Sequence, residues 1–159
     1  MAFTFAGMVC DLAGKYSDST AFALDGQNWS FGDLQERGTR LARVLRMLGV
    51  RRADRVGFLG KNSPAFFELT MACSLLDAVV VGLNWRLSTM ERAVIISDAS
   101  LSLIVASTEL AASLRDTHSA TESLRVITTG IELDELIAAA DSAPFACESG
   151  PDKIGRAHV

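Results

Sequence analysis

The stretch from Arg55 to Leu87, RVGFLGKNSPAFFELTMACSLLDAVVVGLNWRL, constrains the fold more than any other part of the chain. Val56, Phe58 and Leu59 read as a short apolar strand closed by Gly60, and Asn62-Ser63-Pro64 reads as a helix start. Ser63 is expected to cap free amides, and proline suits the first helical position because the N–H it lacks would have no partner there. Phe66, Phe67, Leu69, Thr70, Cys73, Leu75 and Leu76 spread apolar character too widely for a helix facing solvent, so this one is expected to lie on a sheet. Val79, Val80 and Val81 make a β-branched run of the kind that sits in strands buried on both faces. Strand, helix and strand together predict a βαβ crossover in a parallel sheet.

The flanks extend the pattern. Residues 4–14 predict a short helix, and Ala21–Leu24, Asp25-Gly26 and Asn28–Ser30 predict a hairpin with a tight turn. Ser30 and Asp33 form a capping box opening a helix whose Leu34, Leu41, Leu45 and Leu48 share one side, with Gly49 as its stop. Ser88-Thr89-Met90-Glu91 is a second capping box, ahead of a helix carrying Ala93, Val94, Ile95 and Ile96 and ending over Asp98-Ala99-Ser100. Leu101, Leu103, Ile104 and Val105 predict a strand, Glu109–Arg115 a short helix, Arg125–Thr128 a strand and Leu133–Ala140 a last helix. Strands that alternate with helices in this way predict an open α/β sheet. The stretch 141–152, DSAPFACESGPD, reads as a loop or linker.

Several function classes are set aside by charge and cysteine usage. The 15 basic and 19 acidic residues, a net charge of -4, are interspersed without blocks, whereas nucleic-acid binding requires a clustered basic face. Arg40, Arg43, Arg46, Arg51 and Arg52 are read as a solvated helix face followed by a basic turn. Cys10, Cys73 and Cys147 are odd in number and lack C-x-x-C spacing, so neither a disulfide framework nor zinc is implied, and a reducing cytoplasm is the expected setting. The start MAFTFAGMVCDLAGK has no basic region and Asp11 interrupts its apolar run, which is unlike a secretory signal. No apolar run approaches the ~20 residues needed to span a bilayer.

Candidate chemical groups each have a structural explanation. Gly57-Phe58-Leu59-Gly60-Lys61-Asn62-Ser63 clusters Gly, Lys and Ser between strand and helix, but it lacks G-x-x-x-x-G-K-[ST] spacing, and Pro64 removes an amide where a phosphate would sit. It is read as a capped βα turn. Cys73 is read as a packing residue, His118 as a solvated loop residue, and Glu132, Asp134 and Glu135 as first-turn carboxylates favoured by the helix dipole. Asn84 and Arg86 follow a buried strand, where open α/β sheets gather ligands. They are read as stabilising a corner, with Arg86 bonded to backbone carbonyls or a carboxylate. No catalytic, cofactor-binding or metal-ligating residue is assigned.

The order and spacing of these segments resemble the N-terminal part of adenylate-forming, AMP-binding acyl-CoA synthetases. Trp29-Ser30-Phe31-Gly32-Asp33-Leu34 is similar to that family's Leu-Thr-Tyr-x-Glu-Leu segment, and Leu83-Asn84-Trp85-Arg86-Leu87-Ser88 to its Leu-Asn-Pro-Arg-Leu-Thr corner. The chain departs from the pattern at Asp77, where the family usually has a helix-ending Gly, and at Gly82, where it often has Pro.

The resemblance implies an α/β fold, a hairpin and helices followed by a mostly parallel sheet, forming part of an N-terminal domain. It also implies that a full-length member is an ATP-dependent ligase using Mg2+ and CoA to activate a carboxylic acid such as a fatty acid. The Lys-bearing phosphate loop and the acidic metal ligand of the family would lie beyond this chain, which is therefore expected to be inactive alone and to bind none of these tightly. Residues 1–153 are expected to be an incomplete N-terminal portion. Ile154-Gly155-Arg156-Ala157-His158-Val159 matches in translation a common sequencing-adapter read and is expected to be a non-native tail. The alternative is a complete, non-catalytic α/β module that binds a ligand or partner.

Overall fold

The computed structural model describes residues 4–117, 124–141 and 143. His118, Cys147, most of the expected 141–152 loop and the 154–159 tail lie outside them. Helix α1 (Phe5–Tyr16) starts at Thr4, whose hydroxyl oxygen accepts from the Gly7 N–H. Strands β1 (Thr20–Leu24) and β2 (Gln27–Ser30) form the expected antiparallel hairpin. Its turn residues Asp25 and Gly26 have φ of 50° and 77°, the left-handed pair that matches the twist of a two-residue hairpin.

Helix α2 (Phe31–Met47) has the predicted capping box: the Asp33 N–H donates to the Ser30 hydroxyl at 3.0 Å, and the Asp33 carboxylate accepts from the Ser30 N–H at 3.1 Å. Gly49 follows at φ 97° and ends the helix. Strand β3 (Arg55–Leu59), helix α3 (Pro64–Leu75) and strand β4 (Val79–Leu83) then build the βαβ unit, with β3 and β4 parallel. Asp77 takes φ 54° directly after the helix, and the Ala78 N–H closes onto the Cys73 carbonyl at 2.9 Å. Asp thus fills a left-handed position usually given to Gly, as its short polar side chain permits.

Helix α4 (Thr89–Ala99), strand β5 (Leu103–Ala106), helix α5 (Thr108–Ala111) with a 3-10 turn over Ala112–Thr117, strand β6 (Arg125–Thr128) and helix α6 (Ile131–Ala139) complete the described residues. The sheet runs β4-β3-β5-β6, parallel throughout. Pleat alternation divides its side chains between two cores. Val56, Phe58, Leu103, Val105 and Ile127 pack with Leu41, Leu45, Leu69 and Leu133 from α2, α3 and α6. Leu59, Leu83, Ile104 and Ala106 pack on the opposite face with Ile96 and Leu114. Gly38 lets α2 approach α3, because a Cβ there would come within 2.3 Å of Met71 Cγ.

Four local expectations are corrected. β4, expected to be buried on both faces, lies at the edge of the sheet with Val79 exposed. Ser63 occupies the N-cap position of α3 but makes no side-chain cap bond, because its carbonyl oxygen already accepts the Phe66 N–H at 3.1 Å. Among the described residues, the Arg86 side chain has no carbonyl or carboxylate partner. Its guanidinium lies 4.5 Å from the centroid of the Trp85 ring, while Asn84 Oδ1 fixes the corner by accepting the Arg86 N–H at 3.0 Å. Arg40 and Arg43 are not simply solvated: Arg40 donates to the Ala140 carbonyl at 2.9 Å and Arg43 to that of Asp141 at 2.5 Å. These cations meet carbonyls in the extended segment just past the end of α6.

Candidate functional site

A cleft of about 810 Å³ opens between the hairpin and the N-terminal ends of α2, α3 and α6. Ser63 follows β3 and Gly130 follows β6, so the cleft lies at the carboxyl ends of parallel strands, where open α/β sheets place ligands. Asn28 and Trp29 come from the hairpin, Arg37 from α2, Glu68 from α3 and Asp134 from α6.

Arg37 ties these elements together. Its Nε donates to Glu68 Oε1 at 2.6 Å and its Nη2 to Asp134 Oδ1 at 2.5 Å. The Glu68 side chain is only 4% exposed, so its charge depends on this partner. The hydrogen bond that Arg37 donates to Glu68, above all, raises the Arg37 pKa further beyond its ordinary range, with the bond to Asp134 adding to it. Neither Arg37 nor Glu68 is among the site candidates read from sequence. A signal for them exists, because Glu68 interrupts the apolar run of α3, and a carboxylate inside such a run requires a cation.

Of the sequence candidates among the described residues, Ser63 and Asp134 line the cleft and the others do not. Lys61 Nζ lies 5.2 Å from the Trp85 ring centroid, sharing the indole with Arg86. That corner is built from the ends of β3 and β4 and does not line the cleft. Cys73 is 1% exposed in the core, and burial pushes its thiol up to about 12. The three carboxylates of α6 diverge. Glu132 accepts from the Thr128 hydroxyl at 2.6 Å and its N–H at 2.8 Å, which hold its pKa below the ordinary range. Asp134 turns to Arg37, and Glu135 is exposed.

The described residues do not fit ATP or its metal. Lys61 stands at the Trp85 corner outside the cleft, Pro64 offers no N–H at the start of α3, and Glu132 and Asp134 have separate partners. Among the described residues, no group of three acidic, His or Cys side chains is placed to hold a metal ion. No helix among them is long and apolar enough to cross a membrane.

Comparison with known proteins agrees with the architecture. Residues 11–154 match the family model described as AMP-binding enzyme. A feruloyl-CoA synthase from Amycolatopsis sp is 39% identical over 87 residues, 55% of this chain and 18% of that protein. A crotonobetaine/carnitine–CoA ligase from Salmonella paratyphi C (strain RKS4594) is 32% identical over 113 residues, 68% of this chain and 22% of that protein. Among solved structures, a benzoate CoA ligase from Burkholderia xenovorans LB400 aligns with a TM-score of 0.83 at 26% identity, covering 95% of this chain and 31% of that one. A Mycobacterium tuberculosis fatty acyl CoA synthetase shares the fold at a TM-score of 0.84 and 24% identity, over 92% of this chain and 30% of that one. The chain spans 18 and 22% of the length of the two curated relatives.

Proposed function

This chain belongs to the AMP-binding enzyme family, and from that premise we propose that it is the N-terminal scaffold of an ATP-dependent acyl-CoA ligase, without ligase activity by itself. The observation that carries this reading is the match over residues 11–154 to the AMP-binding enzyme family, together with the similarity to a feruloyl-CoA synthase and a crotonobetaine/carnitine–CoA ligase that are several times longer. The whole enzyme would take a carboxylic acid, with ATP, Mg2+ and CoA as co-reactants. When bound, ATP and Mg2+ supply the activated phosphate and the charge neutralisation for forming an acyl-adenylate.

No step of that chemistry is assigned to this chain. Its contribution is positional: the Arg37–Glu68–Asp134 network holds α2, α3 and α6 together at the carboxyl ends of the sheet. A reducing cytoplasm is the proposed setting, on the strength of three widely spaced cysteines without C-x-x-C pairing.

The test is a pyrophosphate-release assay with ATP, Mg2+, CoA and a panel of aliphatic and aromatic acids. The chain alone is expected to release none. The reading frame extended through the rest of the family domain is expected to release pyrophosphate with at least one acid. Turnover by the chain alone would overturn the inactivity, and a folded extended protein without turnover on any acid would overturn the ligase assignment.

A further inference from the structure

Strand β4 forms one edge of the sheet and pairs only with β3 among the described residues. The Val79 N–H donates to the Asp54 carbonyl at 2.8 Å, so alternation turns the backbone groups of Val79, Val81 and Leu83 toward β3 and those of Val80 and Gly82 outward. Natural edges are usually blunted by Lys, Pro or a bulge. β4 reads Val-Val-Val-Gly-Leu in unbroken register with β3, and has none of these. Val79 is 49% exposed, and a Cβ on Gly82 would meet nothing within 4 Å.

We infer that the β4 edge binds a second copy of this chain, antiparallel, about a two-fold axis through Val81. In this register Val80 of each copy faces Gly82 of the other, and both pairs exchange their outward N–H and C=O groups. Val81 meets Val81 and Val79 meets Leu83 at the intervening close pairs, on the face where Val81 and Leu83 already pack, so the exposed Val79 side chain is covered. A shift of one residue opposes outward groups to inward ones. A shift of two leaves a single bonded pair within the strand.

Charge complementarity selects the same register. It carries Asp77 of one copy to the Trp85 corner of the other, where Lys61 Nζ and the Arg86 guanidinium stand 5.2 and 4.5 Å from the indole centroid. Two-fold symmetry makes this contact twice, each time between a carboxylate and two cations. No charged residue lies within Val79–Leu83 to oppose its own copy.

Sedimentation velocity over a concentration series tests the inference on the 159-residue chain. The parent is expected to dimerise. Gly82→Pro removes one outward N–H at a position where a Cβ meets nothing within 4 Å, and is expected to run as a monomer with an unchanged circular dichroism spectrum. Asp77→Asn keeps a residue that tolerates positive φ and is expected to weaken dimerisation by about three- to tenfold. Amide exchange in the parent, read at Val80 and Gly82, should slow as concentration rises, which decides the matter if the proline variant does not fold. A parent that stays monomeric at every soluble concentration overturns the inference. So does a dimer whose Val80 and Gly82 amides exchange at the monomer rate.

Discussion

Arg37 and Glu68, 31 residues apart in sequence, meet at 2.6 Å across the contact between α2 and α3. The carboxylate is buried, while the guanidinium is 35% exposed and reaches on to Asp134. One cation thus holds three helices at the rim of the cleft.

Removing that cation strands a charge in the core. Arg37→Met is expected to destabilise the chain by about 3 kcal/mol, the lower end for a broken buried pair because the arginine is partly solvated. The double variant Arg37→Met, Glu68→Leu should recover most of the loss. Urea denaturation of both variants checks this, and a double variant no more stable than the single one contradicts it.

The cap on α2 predicts an acid dependence. The Ser30 hydroxyl, followed by its N–H, holds the Asp33 carboxyl below its ordinary range. A depressed carboxylate contributes stability above its unfolded value, ~3.9, and that contribution is lost as pH falls through the lower folded value. Ser30→Ala is expected to cost about 1 kcal/mol at neutral pH. The gap between parent and variant should narrow on titration from pH ~4 downward, followed by denaturant midpoints. A gap constant with pH would show that the ionised carboxylate has no part in the cap.

Cys73 predicts the reverse dependence at high pH. Burial pushes its thiol up to about 12 in the folded chain. The unfolded thiol ionises near ~8.5, so above that value the unfolded state loses a proton that the folded state keeps, and stability falls by about 1.4 kcal/mol per pH unit until the folded value is reached. Cys73→Ala should remove this slope while costing packing energy. Thiol labelling of the native chain at mildly alkaline pH should modify the half-buried Cys10 well before Cys73, and equal rates would contradict the burial argument.

The elements that were legible in sequence are those whose signals are local. Asp25-Gly26 announces its turn because two left-handed residues are needed there, and Ser30 with Asp33, like Ser88 with Glu91, announces a helix start because the two residues satisfy each other's amides. Ser63 shows the limit of such signals, since its carbonyl competes with its hydroxyl for the same N–H. Arg40 and Arg43 show another, because their carbonyl partners lie about 100 residues away. The cleft was not legible at all. Its lining comes from segments spread between Gln27 and Asp134, and no spacing rule joins them.

By itself, then, the sequence determined the identity and order of the strands and helices, the parallel βαβ core and the family resemblance that the comparisons bear out, because hydrophobic period, caps and turn chemistry act over a few residues. Only the tertiary structure decided which charges are satisfied and by what: Glu68 by Arg37, the cations of Arg40 and Arg43 by carbonyls just past the end of α6, and Lys61 by the Trp85 ring. These pairings rest on strand order β4-β3-β5-β6 and helix packing. They follow from burying one continuous apolar surface, which brings distant residues together after local structure has been set.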